Sequence, residues 1–189
     1  MGLKVTIHPT VEPVSVELAK LHARVEISDD DALIASYIKA ARERAEHETE
    51  RALAPAEFCL YLDEFPDGGI KIPRPPINAV SSVQYVDASG VLQTIDSADY
   101  ALDDAQEPAW LLPAYGYTWP TTLDVANAVR VTFTAGYTAD ACPAQVKSYI
   151  LAVVAAMYAQ REILAQADRV PKSVQFLDGL LDAYRVRGV

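Results

Sequence analysis

Apolar residues recur at helical spacing towards both ends of the chain and at strand spacing through its middle third. At the start, Leu3, Val5 and Ile7 alternate with polar residues and run into Pro9 and Pro13, which lack backbone donors. Residues 1–14 are therefore expected to form an extended arm, either pairing with a neighbour's sheet edge or fraying. Ser15 is placed to cap a short helix with Leu18, Leu21 and Val25 on one stripe and Glu17 in its first turn. Ser28, Asp29, Asp30 and Asp31 then supply acceptors for the orphan amides of a second, longer helix. In that helix Leu33, Ile34, Tyr37, Ile38, Ala41 and Ala45 form the buried stripe, and Arg42, Glu43, Arg44, Glu46, Glu48, Glu50 and Arg51 fill the solvated faces.

Pro55 ends this pattern, and from Phe58 to Tyr137 short β-type runs are separated by Gly, Pro, Asp and Ser. Strands are expected at Phe58 to Leu62, Val80 to Val86, Val91 to Ile95, Tyr100 to Leu102, Ala109 to Leu112 and Ala128 to Thr134. Two turns, Pro66-Asp67-Gly68-Gly69 and Asp87-Ala88-Ser89-Gly90, have glycine available for positive φ. The segment Ile72-Pro73-Arg74-Pro75-Pro76-Ile77 cannot join a regular ladder and should run extended. Pro143 then opens a helix bearing Val146, Tyr149, Ile150, Val153, Val154, Met157 and Tyr158. After a break at Ala167 to Pro171, a last helix carries Val174, Leu177, Leu180, Leu181 and Tyr184, with Arg185 and Arg187 complementing its dipole. The expected fold is α+β: a mostly helical body (15–54 and 143–189) with a central antiparallel β insertion (55–138), in one domain.

Composition narrows the partners. With 189 residues, 51% of them hydrophobic, the chain can bury a core without staples. Cys59 and Cys142 fit neither a metal spacing nor a disulfide framework. The chain opens without a signal-peptide pattern and has no apolar run of membrane-spanning length, so synthesis in the cytoplasm and no membrane partner are expected. Twenty-six acidic residues against sixteen basic give a formal net charge of -10, which disfavours tight binding of nucleic acid.

No phosphate loop, paired-cysteine motif, zinc-protease helix or nucleophile elbow occurs, so neither a catalytic residue, a metal site nor a cofactor is assigned. His47 lies near Glu43 and Glu50 on one helix, and His22 near Glu26, but each lacks a second histidine or cysteine ligand, and His8 has no readable partner. Asp63, Glu64, Asp67, Asp103, Asp104 and Glu107 are the scattered acids an enzyme would have to use; in strand-linking loops such acids are ordinarily solvated. Tyr115, Tyr117 and Trp119, with Gly116 and Pro120, make either an aromatic platform for a protein, sugar or base or a loop packed over the sheet. Trp110, on a strand, is assigned to the core.

The order of segments resembles the gp6-like and phiE125 gp8-like head-tail connector family of tailed phages and prophages. The resemblance is carried by Asp29 to Ile34, Pro73 to Ile77, Val80 to Asp87, Tyr117 to Pro120, Asn127 to Tyr137, the helix after Pro143, and Leu181 to Val186. It implies a structural adaptor made in the host cytoplasm and placed in the virion neck. That adaptor would form a ring of about twelve copies between the portal protein and downstream neck or tail proteins. DNA would pass through it without sequence-specific binding. In that family the helices build the ring, the β insertion projects and the last helix meets the portal. Ring closure needs two different patches on each copy. Arg42 and Arg44 on the second helix, and Arg74, Pro75 and Pro76 in the rigid segment, are candidates for them, with charge reversal of the two helix arginines expected to weaken assembly alone. Tyr117, Trp119, Leu181, Tyr184 and Arg185 complete the candidate interface. Another neck or tail-completion protein, or a ligand-binding module built on Tyr115, Tyr117 and Trp119, are the alternatives.

Overall fold

The computed structural model describes residues 1–159 and 179–186. Contacts divide them into a β unit, residues 1–10 with 55–136, and a helical unit, residues 11–54 with 137–159 and 179–186.

In the β unit, strands β1 (Gly2–Ile7), β2 (Ala56–Leu62), β4 (Ile77–Val86), β5 (Leu92–Ile95) and β8 (Val129–Ala135) form an antiparallel sheet in the order β1-β2-β8-β4-β5. The strands β3 (Ile70–Ile72), β6 (Tyr100–Asp103) and β7 (Ala109–Pro113) form a second sheet in the order β3-β7-β6. Period-two burial places β8 at the centre: Val129, Val131, Phe133 and Ala135 are buried while Arg130 between them is exposed. Phe58 and Phe133 are register partners, and their rings stack at 5.5 Å.

Strand identity followed the alternation well, and the differences have local causes. The arm contributes β1, an edge strand paired to β2 of its own chain, with a register shift between Val5 and Ile7. β4 begins at Ile77, three residues before the expected start, because the Gly136 amide donates to the Pro76 carbonyl and Asn78 Nδ2 to the Gly136 carbonyl. β3 is too short to show a pattern. At the Asp87 turn Gly90 has φ +81°, as expected, and the Asp87 carboxylate accepts from the Ser89 and Val91 amides and from Gln93. Gly69 serves a different purpose from the positive φ expected there: a Cβ on it would stand 2.5 Å from Leu112 Cδ2 and 3.1 Å from Trp110 Cε3. Trp110 is half-buried, so its assignment to the core holds only in part.

The helical unit contains α1 (Val16–Ala23), α2 (Asp31–Thr49) and α3 (Ala144–Ala159). Ser15 caps α1 through its side chain, at 3.2 Å from the Leu18 amide. Of the apolar stripe read there, Val25 packs against the core but Leu18 and Leu21 do not. Ala19 is buried and Lys20 is held at 2.6 Å by Asp31, which turns Leu18 and Leu21 outward, Leu21 to 77% exposure. On α2, Ile34, Ile38, Ala41 and Ala45 are buried as the spacing required, and they meet Val146, Tyr149, Ile150 and Val154 of α3 in one core. The acidic triplet ties helices together instead of capping α2 by side chain. Asp30 accepts from the Tyr158 hydroxyl at 2.7 Å and Asp31 pairs with Lys20.

Among the described residues 29% are helical and 28% lie in strands, so the α+β class stands and the mostly helical weighting does not. Three α-helices are described, and the expected break and most of the last helix fall on 160–178, outside the described residues. Of that helix, 182–184 is a single 3₁₀ turn.

Candidate interaction surfaces

Arg42 was expected on a solvated face but is only 4% exposed. Its Nε donates to Glu12 at 2.7 Å and its Nη1 to Glu46 at 2.6 Å, with Glu43 at 3.8 Å. Burial alone would lower its proton affinity, but the hydrogen bond to Glu12 and the charges of Glu46, Glu12 and Glu43 outweigh it and raise the pKa above the ordinary arginine value. The other Glu46 oxygen accepts from the Leu53 amide at 2.8 Å, so this network fixes both the segment before α1 and the loop after α2. Helical periodicity cannot reveal this, because a long cationic side chain on the flank of a stripe can be covered by a segment from elsewhere.

Leu181 is fully buried in the core of the helical unit, and Tyr184 packs against it. The Tyr184 carbonyl accepts from Arg51, and the Val186 amide donates to the Thr49 carbonyl at 3.0 Å, satisfying an end carbonyl of α2. Leu181 and Tyr184 are thus anchors of the chain end, and their apolar character served the core. Arg185 lies outside, 3.4 Å from Glu48 and 3.5 Å from Asp182.

Arg44 is exposed on α2. Arg74 is half-buried with φ +67°, a left-handed backbone that non-glycine residues seldom adopt; Pro75 is buried and Pro76 half-buried beside it. The proline segment is therefore partly packed into its own β unit and presents Arg74 and Pro76 more than Pro75. Two features were missed. The outward side of α1 carries Leu18 and Leu21, and a groove of about 230 Å³ is lined by Val11, Glu12, Val14, Ser15, Val16, Ala35 and Ile38. The apolar spacing of α1 was the available signal.

The aromatic cluster forms a groove of about 400 Å³ in the β unit. Trp119 stacks on Phe65 with ring centroids 4.9 Å apart and planes within 6°, and Tyr117 meets Trp119 edge to face at 6.4 Å. The Trp119 indole N–H donates to the Gly68 carbonyl at 2.8 Å, pinning loop 113–122 to the turn at 65–69. Phe65 also meets Tyr85 edge to face at 5.8 Å. Burial, with Asp99 and Tyr85 nearby, raises the Tyr117 pKa above the usual tyrosine value. Tyr115 stands apart and fully exposed. Sequence proximity grouped Tyr115, Tyr117 and Trp119; folding keeps the last two and adds Phe65 and Tyr85 from distant strands and turns.

His47 is exposed, and among the described residues no group of three His, Cys, Asp or Glu side chains is gathered as a metal site would require. No helix of the described residues is long and apolar enough to cross a membrane.

With α1, α2 and β2 to β4 placed in order, a comparison with known families becomes decisive for this stretch. Residues 13–87 match the phage gp6-like head-tail connector family. The resemblance read from the segment order is thus met over residues 13–87, which include the acidic triplet, the proline segment and β4. No curated protein matches the chain. Among solved structures, a chain in the virion of a native gene transfer agent particle covers 100% of this chain with 97% of its own length, at a TM-score of 0.82 and 23% identity. A chain in the neck of an empty gene transfer agent particle, computed with C6 symmetry, has the same coverage at 0.80 and 24%. One in the neck of the native particle, computed with C12 symmetry, reaches 0.72 and 22%. At these identities the likeness establishes the fold, over the whole length of the chain.

Proposed function

We propose that this protein is a structural head-tail connector subunit of a tailed phage or a related particle. It acts through the surfaces it presents and not through a catalytic site. The observation that supports this best is a convergence: the connector family model matches 13–87, and the full-length fold is shared with chains of gene transfer agent virions and necks. In this reading copies close a ring in the neck, twelve of them by analogy with the particle neck of C12 symmetry.

Ring closure joins one patch of each copy to a different patch of the next. Candidates for these patches are the exposed side of α2 around Arg44, the outward leucines of α1, and the Arg74 to Pro76 segment. The portal protein is the proposed partner on one side of the ring and a downstream neck or tail protein on the other, with Arg185 and the Trp119 groove among the contact candidates. A formal charge of -10 suits a passage through which DNA moves without adhering.

The test is the mass of the purified protein across a concentration series, by light scattering after size exclusion, alone and with its portal protein. A closed ring or a stoichiometric complex with portal is expected. A monomer that ignores the portal at every concentration would overturn the proposal.

A further inference from the structure

The Trp119 groove has a chemistry that neither the family match nor the shared fold assigns. We propose that it is a docking site for an extended segment of a partner protein that inserts an arginine or lysine side chain between aromatic faces and carboxylates.

Three observations lead there. First, the groove is held in shape before anything binds. The Phe65–Trp119 stack and the indole bond to the Gly68 carbonyl fix its wall, and Pro66, Pro113 and Pro120 stiffen its rim, so little freedom is lost on docking. Second, about 400 Å³ is room for a few side chains, within the usual range of ligand clefts. Third, its charge has one sign. Glu64 and Asp67 line it, no lysine or arginine does, and among the described residues neither carboxylate has an ion-pair partner.

A cation brought against Trp119 or Tyr117 gains from the ring quadrupole, most strongly for guanidinium over indole, while the two carboxylates supply the counter-charge. A nucleotide or phosphate would meet these carboxylates with no cation to offset them. The indole N–H is already committed to Gly68 and one ring face to Phe65, which leaves the exposed remainder of the half-buried ring, not the polar edge, for recognition. The proposal does not depend on ring closure.

The test uses the full chain carrying Trp110→Phe, so that Trp119 alone reports, together with calorimetric titration of the unaltered protein in case that change perturbs folding. The probes are acetyl-Gly-Pro-Arg-Pro-amide, its glutamate counterpart, and a neutral cello-oligosaccharide. A saturable shift with the arginine peptide is expected, about tenfold weaker with the glutamate peptide and about tenfold weaker after Glu64→Gln with Asp67→Asn. Equal response to both peptides, no saturable response to either, or saturation by the oligosaccharide alone would overturn the proposal.

Discussion

Replacing Arg42 by methionine should destabilise the helical unit itself, a stronger effect than the loss of a surface charge. The guanidinium is 4% exposed and bonds Glu12 at 2.7 Å and Glu46 at 2.6 Å. Methionine keeps much of the aliphatic stem but removes the buried cation that Glu12 and Glu46 share. Breaking a buried pair this way costs about 3–5 kcal/mol. Because Glu12 and Glu46 retain 27% and 19% side-chain exposure, water can reach them, and the low end, about 3 kcal/mol, is expected. Both tryptophans lie in the β unit, so far-ultraviolet ellipticity during urea unfolding is the readout for the helices. A cycle with Glu12→Gln isolates the pair, with a coupling of about 1–3 kcal/mol expected. A loss below about 1 kcal/mol for Arg42→Met would show that Arg42 behaves as an ordinary surface charge and refute the reasoning.

Three further outcomes follow from the packing. Leu181→Ala should cost about 3 kcal/mol, since it empties a fully buried position; the ellipticity midpoint in urea checks it. Gly69→Ala should cost about 1 kcal/mol because Leu112 must rotate away and the Leu111 carbonyl sits only 3.3 Å from the new carbon, as read by tryptophan fluorescence during unfolding. Burial pushes the Cys142 thiol up to about 11 from 9.0, so it should resist alkylation at neutral pH until the protein unfolds. The unfolded thiol ionises first as pH rises, so Cys142 lowers stability between about 9.0 and about 11, a slope that Cys142→Ala should reduce.

Much of this architecture was legible because burial imposes simple periods. The alternation in Val129, Val131, Phe133 and Ala135 located β8, and the 3.6 spacing from Ile34 to Ala45 located α2. What stayed hidden depends on partners distant in sequence. Arg42 looked solvated because its cover, Glu12, comes from another segment, and Leu181 and Tyr184, read as interface candidates, are packed into the core of the helical unit. Nor could the facing of Leu18 and Leu21 be read: a two-turn helix offers too few positions to say which side faces inward, and Ala19 with Lys20 decided it. For the aromatic groove, Tyr117 and Trp119 were visible as a cluster, but Phe65 lies more than fifty residues away, and only folding brings its ring against Trp119.

The most direct test of the proposed connector role is electron cryomicroscopy of phage-like particles assembled in cells that express this protein, with the map examined at the junction of head and tail. The expected result is this fold repeated in a closed ring at the neck, on the particle axis. Density for the chain elsewhere in the particle, or a single unrepeated copy at the neck, would contradict it.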